Sequence, residues 1–531
     1  MVPEKYGSAK KKPERLTQRF AVKALPFRPP FGKNGSFFKE GHTVILAGDP
    51  HWLSIMEALF ATHGVRTLHL IVGNKTRQLT ANQIEVGQTP EEYAKLLPLL
   101  QEKNIQGLIH VLPTRGEYLT RTQTTEKFFL LLKNLAPIFK STEGIQKGIV
   151  NLSFMGGNFA LEQSKPFAAS DAGTHGLIKA VAREWPHCRV QCLDFDPDFD
   201  ADRFSSAFWQ ALTIDNPPLE LGFDDQGAYV IDLVEEEPKP ATIDLGDESV
   251  VLVTGGAYGV TADCVIELTQ KIKTHLVILG RSQLPEPSAY PEDPSLIRQM
   301  LIEETKAQGL KKTPAEIENE IKTILKNQAI LTNMAQFRAN ALSVRYYSID
   351  VRDEAALAGI VDAINQEFGR IDGIVHGAGV IEDKWLTDKS FEAFERVFAT
   401  KVDAALTLAR HVDLSRLSFF AFFSSVSGRF GNVGQSDYSA ANEVLNKLAD
   451  LLAKEAPSAR IVSINWGPWD SGMVSDSLRR LYQSRGIALI PLDEGKAAFV
   501  DEILALSRDT EVVITRSAAA IAAGGLGKGV A

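Results

Sequence analysis

Short apolar runs rich in Val, Ile and Leu alternate along this chain with stretches whose apolar residues recur at helical spacing. Thr43–Ala47, Thr67–Val72, Gly107–Leu112, Val150–Phe154 and Val190–Phe195 are runs of the first kind; Ile55–Ala61, Glu126–Leu135 and Thr174–Glu184 carry the helical pattern between them. The second half repeats the plan with Val250–Val253, Leu276–Leu279, Val344–Ile349, Gly373–His376, Phe419–Phe423 and Ile461–Asn465. Strands apolar at successive positions are buried on both faces, so the alternation predicts an α/β fold of two doubly wound domains with parallel sheets. The domains span 41–244 and 245–515. Leu296–Asn340, rich in Ile, Leu, Glu and Lys, predicts a helical insertion at about 284–342, between the second and third strands of the second domain.

The halves also match in detail. Val44-Ile45-Leu46-Ala47-Gly48 answers Val251-Leu252-Val253-Thr254-Gly255, Ser170-Asp171-Ala172 answers Ser436-Asp437-Tyr438, and Arg189…Asp196-Pro197 answers Arg460…Gly467-Pro468. Residues 1–40 are basic and proline-rich (Lys10, Lys11, Lys12, Pro13, Pro26, Pro29, Pro30) and read as a linker or an arm packed on the surface. The Ala- and Gly-rich run 516–531 reads as a flexible tail.

Composition narrows the classes. In 531 residues with a formal charge of −9, no net basic surface is available for general nucleic-acid binding. No stretch approaches the roughly 20 apolar residues of a membrane span, and Lys10–Lys12 run into Pro13, Glu14 and Arg15 rather than into the apolar core of a signal peptide. Cys188, Cys192 and Cys264 are too few for a disulfide framework and lack the spacing of metal ligands, so no metal is expected. The expectation is a cytoplasmic protein that engages neither nucleic acid nor membrane.

Candidate chemistry lies in the second half. Thr254-Gly255-Gly256-Ala257-Tyr258-Gly259-Val260 follows a strand and opens a helical stretch, a setting in which glycines let a pyrophosphate approach the backbone at the positive end of a helix. The second strand ends in Arg281-Ser282 rather than in an acidic residue. A guanidinium there grips a ribose 2′-phosphate, which favours NADPH over NADH. Asp350-Val351 and Gly377-Ala378-Gly379, after the third and fourth strands, complete the expected cofactor contacts. The first half has Asp49, His51 and Trp52 at the corresponding turn and is expected to bind no dinucleotide.

Ser425 ends the fifth strand, Tyr438 opens the following helix with Asn442 one turn on, and Lys401 lies on the preceding helix. Reducing a ketone requires a proton donor to the nascent alkoxide. A tyrosine serves at neutral pH when a nearby cation such as Lys401 lowers its pKa, while a serine hydroxyl steadies the carbonyl oxygen and Asn442 holds the lysine or a relay water. The first half has Ala172 and Phe154 in place of Tyr438 and Ser425, and so reads as a brace.

These residues resemble the short-chain dehydrogenase/reductase superfamily, and within it the ketoreductases of polyketide and polyunsaturated-fatty-acid synthases. Phe423-Ser424-Ser425, Gly434-Gln435-Ser436-Asp437-Tyr438, Asn465-Trp466-Gly467-Pro468-Trp469 and the exchanged order that puts Asn442 after the tyrosine and Lys401 upstream carry the likeness. Gly176-Leu177-Ile178-Lys179 and Glu184-Trp185-Pro186 resemble the degenerate, Rossmann-like structural subdomain that precedes such ketoreductases. The resemblance implies NADPH-dependent reduction of a carrier-bound β-ketoacyl thioester to the β-hydroxyacyl thioester. An acyl carrier protein or carrier domain, a ketosynthase and other synthase components are the implied partners. It adds Pro468 and Trp469 to the cofactor contacts. Ile381-Glu382-Asp383 is similar to the Leu-Asp-Asp pattern of B-type enzymes, and Phe430 stands where the other stereochemical class has tryptophan. With Gln435 and Met473 these residues form the implied stereocontrol set, and a 3R product is expected. Asp470–Arg485 is expected to form a lid, within which Asp476-Ser477-Leu478 echoes a carrier attachment triplet but reads as lid helix. Two other readings stay open: a catalytically silent scaffold within a synthase, and a reductase or epimerase of a free small molecule.

Overall fold

A computed structural model describes residues 16–28, 35–162, 166–237, 243, 245–246, 248–471 and 476–522. Its strands, in chain order, are β1 (Gln18–Phe27), β2 (Thr43–Gly48), β3 (Arg66–Val72), β4 (Arg77–Thr80), β5 (Gln83–Val86), β6 (Ile105–Val111), β7 (Gly148–Ser153), β8 (Arg189–Phe195), β9 (Glu220–Asp224), β10 (Gly227–Glu235), β11 (Ser249–Thr254), β12 (Thr274–Gly280), β13 (Ser343–Ser348), β14 (Gly373–His376), β15 (Phe419–Ser425), β16 (Arg460–Trp466), β17 (Trp469–Asp470), β18 (Ile490–Pro491) and β19 (Glu511–Thr515). In the rear half the parallel order is β13-β12-β11-β14-β15-β16-β19, and in the front half β5-β3-β2-β6-β7-β8-β9. Each is a doubly wound sheet whose order reverses beside its first strand (β2 or β11), the place where such sheets open a crevice at their carboxyl edge.

The two sheets are one. β9 turns back into β10, β10 pairs antiparallel with β1, and β1 pairs antiparallel with β19, so 17 strands run without a break from β4 to β13. Within residues 1–40, expected to be a linker or an arm packed on the surface, residues 1–15 and 29–34 lie outside the described residues, and Gln18–Phe27 is instead the strand that joins the halves. Its polar residues obscured it, because Arg19 is buried and finds its partners far along the chain, in Glu502 and Asp509 at 2.9 Å each. At the other end Ala518–Ala522 forms a short helix and buries Ile521, while residues 523–531 of the expected tail lie outside the described residues.

Helices cover both faces, and one apolar core crosses from half to half. Leu177, Ile178, Phe128 and Phe129 from the front pack in the same cluster as Phe394, Phe398, Val444 and Leu448 from the rear. The helix Gly173–Glu184 lies against the helix Ser436–Glu455 so closely that a Cβ on Gly176 would stand 2.2 Å from the Ser439 carbonyl oxygen. The matched Ser-Asp-Ala segment is the 3-10 turn that leads into the first of these helices, and the matched Ser-Asp-Tyr segment opens the second. Beneath them lies a buried ionic cluster. Lys179 pairs with Glu443 at 3.0 Å and Glu220 at 2.9 Å, Arg429 with Glu220 and with Glu511, and Lys447 with Glu511 at 2.9 Å.

The insertion is two helices, Pro294–Ala307 and Pro314–Asn340, with a small core of Ile297, Leu301 and Ile321. The longer one places Ile330, Met334 and Phe337 in the core under the helix Val260–Lys271. Among the described residues no helix is long and apolar enough to cross a membrane, and no cluster of three metal-ligating side chains occurs.

Candidate active site

Thr254 ends β11 fully buried, and its Oγ1 lies 2.8 Å from His376 Nδ1 at the end of β14. Gly377 N donates to Thr254 O at 3.0 Å and Ala378 N to Thr254 Oγ1 at 3.3 Å, so the loops after these adjacent strands are tied together. Gly255 (φ 69°) and Gly259 (φ 75°) adopt the left-handed conformation that side chains resist, and a Cβ on Gly255 would press on the Ala378 backbone at 2.8 Å. Thr261 fills the space that Gly377 leaves open. No side chain caps the helix Val260–Lys271, and the space around Gly259 is open. Its first amides are therefore suited to meet an anion.

Around this loop, Tyr258 is exposed and carries Lys326 of the insertion over its ring at 5.9 Å, and Asn333 donates to Ala257 O at 3.1 Å. Arg281 stands exposed past the end of β12, its guanidinium in no hydrogen bond or ion pair among the described residues. The neighbouring Ser282 carbonyl accepts from the Tyr346 hydroxyl. Asp350 pairs with Arg352 at 2.5 Å, and that bond, with the charge of Arg281 behind it, holds the carboxyl below its usual range. Val351 is buried. The front-half turn is closed instead. Asp49 caps the helix Pro50–Ala61, and the buried Trp52 indole stacks on Phe154 at 4.5 Å and donates to Thr114 Oγ1 at 2.7 Å. An indole fills the volume that the rear loop leaves open.

At the carboxyl edge of β14 and β15 the structure brings Lys401, Tyr438, Asn442 and Ser425 together. Lys401, 3% exposed on the helix Phe391–His411, donates to Phe423 O at 2.7 Å and lies 5.4 Å from the centroid of the Tyr438 ring. Gly379 leaves it room, since a Cβ there would stand 3.0 Å from Lys401 Cε. Asn442 Nδ2 donates to Tyr438 O at 2.8 Å, and its Oδ1 is buried without a partner. The ionisation of the pair differs from expectation. Burial pushes the phenol up to about 12, aided by the Asp383 charge and opposed by contacts with Asn442 and Ser425. Burial alone pushes the ammonium down to about 7. In a dry pocket the loss of solvation outweighs the attraction that was expected to acidify the tyrosine.

Ser425 Oγ accepts from Ser427 N at 3.2 Å and donates to Ser427 Oγ at 3.3 Å. From there a chain runs through Ser427 Oγ to Gln435 Oε1 at 2.6 Å, and from Gln435 Nε2 to both Asp383 oxygens at 3.1 Å. Glu382 turns away and grips Arg396 with two bonds of 2.6 and 2.7 Å. Phe430 is not gathered with the others: its ring packs in an apolar cluster with Phe20, Val22, Val426, Val513 and Ile521. Met473 lies outside the described residues. Pro468 O accepts from Ile490 N at 2.8 Å, and Trp469 is buried 4.8 Å from Trp466. β17 pairs with β18, and the helix Asp476–Ser484 lies between them in sequence, while residues 472–475 of the expected lid lie outside the described residues.

The sequence reading missed Ser427, the fully buried Lys389 and its 2.7 Å ion pair with Asp437, and a front-half glutamate described below. Only the Ser-Val-Ser spacing after β15 hinted at Ser427. Lys389 and Asp437 are far apart in sequence, and nothing local marks them as partners.

The groups present fit a dinucleotide on two counts: an uncapped helix start behind two left-handed glycines, and a guanidinium at the next strand end that has no partner among the described residues. Residues 249–471 match the sequence model of the KR domain. One of the polyunsaturated fatty acid synthase proteins of Thraustochytrium sp. is 34% identical over 354 residues, 64% of this chain and 12% of that protein. Polyketide synthase PksN of Bacillus subtilis is 30% identical over 260 residues, 47% of this chain and 4% of that one. The chain thus spans about an eighth or less of these relatives. Among solved structures, an N-terminal ketoreductase from the macrolactin assembly line superposes with a TM-score of 0.70 at 20% identity, covering 94% of this chain and 91% of the other. The first ketoreductase of the tylosin synthase gives 0.64 at 20% identity, covering 96% of both chains.

Proposed function

Residues 249–471 belong to the ketoreductase (KR) domain family of polyketide synthases, and on that premise we propose that this chain reduces a β-ketoacyl thioester to the β-hydroxyacyl thioester with NADPH. The observation that carries the proposal is the convergence of Tyr438, Lys401, Asn442 and Ser425 on one sheet edge beside an anion-ready glycine loop. The backbone at Gly255, Gly256, Gly259 and Val260 holds the pyrophosphate of the cofactor, and Arg281 with Ser282 meets its 2′-phosphate. Asp350, Val351 and Gly377–Gly379 border the adenosine side, and Pro468 and Trp469 the nicotinamide side. The bound nicotinamide supplies the hydride. Tyr438 donates its phenolic proton to the ketone oxygen as charge develops there, and the Ser425 hydroxyl donates to the same oxygen. A phenol raised to about 12 stays protonated until that moment. The Lys401 ammonium, 5.4 Å from the ring, stabilises the phenolate left behind, and the free Asn442 oxygen receives a proton-relay water or the lysine itself.

Asp383 with Gln435 borders the approach to Ser425, and the Glu-Asp pair supports a 3R product. The relatives are synthase components, which supports delivery of the substrate on an acyl carrier protein or carrier domain, with a ketosynthase as its source. The test is NADPH consumption with an acetoacetyl thioester, compared with NADH and with a simple cyclic ketone, followed by chiral analysis of the alcohol. NADPH-dependent formation of the 3R alcohol is expected. No consumption would favour a silent scaffold, preference for the free ketone would favour a small-molecule reductase, and a 3S alcohol would overturn the stereochemical assignment.

A further inference from the structure

Glu184 ends the helix Gly173–Glu184 of the front half, yet its carboxylate works in the rear half. Oε2 accepts from Leu386 N at 2.9 Å and Oε1 from Gly434 N at 3.0 Å. These amides belong to the two loops that carry Asp383 and Gln435, and Lys384 N donates to Gly434 O at 2.9 Å in the same joint. The joint therefore adjoins the Asp383–Gln435 pair, from which hydrogen bonds continue through Ser427 to Ser425.

Glu184 is 7% exposed, and among the described residues no cation forms an ion pair with it. Burial pushes its carboxyl up to about 7 against the pull of the two amides and of the more distant Lys389 and Lys140. A buried carboxylate without an ion pair is costly, and an apolar residue would fill a helix end without that cost. A carboxylate is the side chain with two separate oxygens that accept from two different segments while donating to neither.

We propose that Glu184 is a positioning residue lent by the front half: it clamps the loops bearing Asp383 and Gln435 and so fixes how the ketone meets Ser425 and Tyr438. It touches neither substrate nor cofactor, and the proposal rests on the ketoreductase reading for the identity of that substrate. In Glu184→Gln a single amide oxygen remains, and the new NH2 opposes one of the backbone N–H groups. The variant is expected to raise KM for an acetoacetyl thioester and the share of the minor alcohol isomer by about tenfold each, with kcat and NADPH affinity little changed. A folded variant with unaltered KM and isomer ratio would overturn the proposal. Amide hydrogen exchange gives a readout independent of turnover. In the wild-type chain Leu386 and Gly434 are expected to exchange at least about 100-fold more slowly than free loop amides, and in the variant both speed up. Should the variant fail to fold, unprotected amides in the wild-type chain would overturn the clamp. If the wild-type chain consumes no NADPH while both amides stay protected, the joint stands and the reductase reading is what fails.

Discussion

Burial acts in opposite directions on Tyr438, the proposed proton donor, and on Lys401, its proposed helper. With the phenol at about 12 and the ammonium at about 7, the free enzyme keeps its acid protonated across the working range and loses its cation first. For reduction, kcat/KM is therefore expected to fall as pH rises above about 7, approaching tenfold per unit as Lys401 deprotonates. A profile level from pH 6 to pH 9 would contradict this assignment of Lys401. Arg281, exposed and with an unpaired guanidinium among the described residues, is expected to matter for one cofactor only. Arg281→Ala raises the KM for NADPH by about tenfold and leaves that for NADH unchanged; equal effects on both would contradict its role. Among single residues the sequence disclosed those with a fixed place relative to a strand end or helix start, such as Tyr438, Asn442 and Gly259. It hid Lys389 and Glu184, because their contacts exist only once distant segments meet.

Most strand bounds read from apolar periodicity agree with the structure within a residue or two: Gly373–His376 is identical, and Val190–Phe195 is Arg189–Phe195. Two of the strands the pattern does not mark are rich in polar residues. β1 mixes Gln, Arg and Lys with apolar residues, and β4 is exposed along its whole length. Arg19→Ala is expected to lower the urea midpoint by the equivalent of about 2 kcal/mol, because it strips charged hydrogen bonds from buried Glu502 and from Asp509. An unchanged midpoint would make β1 a surface appendage after all. The contact between the two repeated helices is tighter still. Gly176→Ala would set a methyl group 2.2 Å from Ser439 O and must push apart the helix that bears Tyr438. A loss of about 1–3 kcal/mol in stability, with lower kcat, is the expected outcome in denaturation and steady-state assays.

At the scale of the whole molecule, the two halves share one strand order, with the first turn filled by an indole in the front half and left open in the rear half. Parallel alternation made both sheets legible, but their fusion through β10 and β1 was not, because it depends on the pairing of segments from opposite ends of the chain. A shared core and a continuous sheet mean that neither half has a complete surface alone, so calorimetry is expected to give one unfolding transition. Two separated transitions would contradict that coupling. The division of labour, with chemistry in the rear half alone and Tyr438 as its acid, is tested most directly by deuteride transfer from C4-deuterated NADPH to an acetoacetyl thioester. The wild-type chain should place deuterium on C3 of the alcohol, while Tyr438→Phe binds NADPH with unchanged affinity and transfers about 1,000-fold more slowly. Transfer by Tyr438→Phe at the wild-type rate, or none by the wild-type chain, would contradict it.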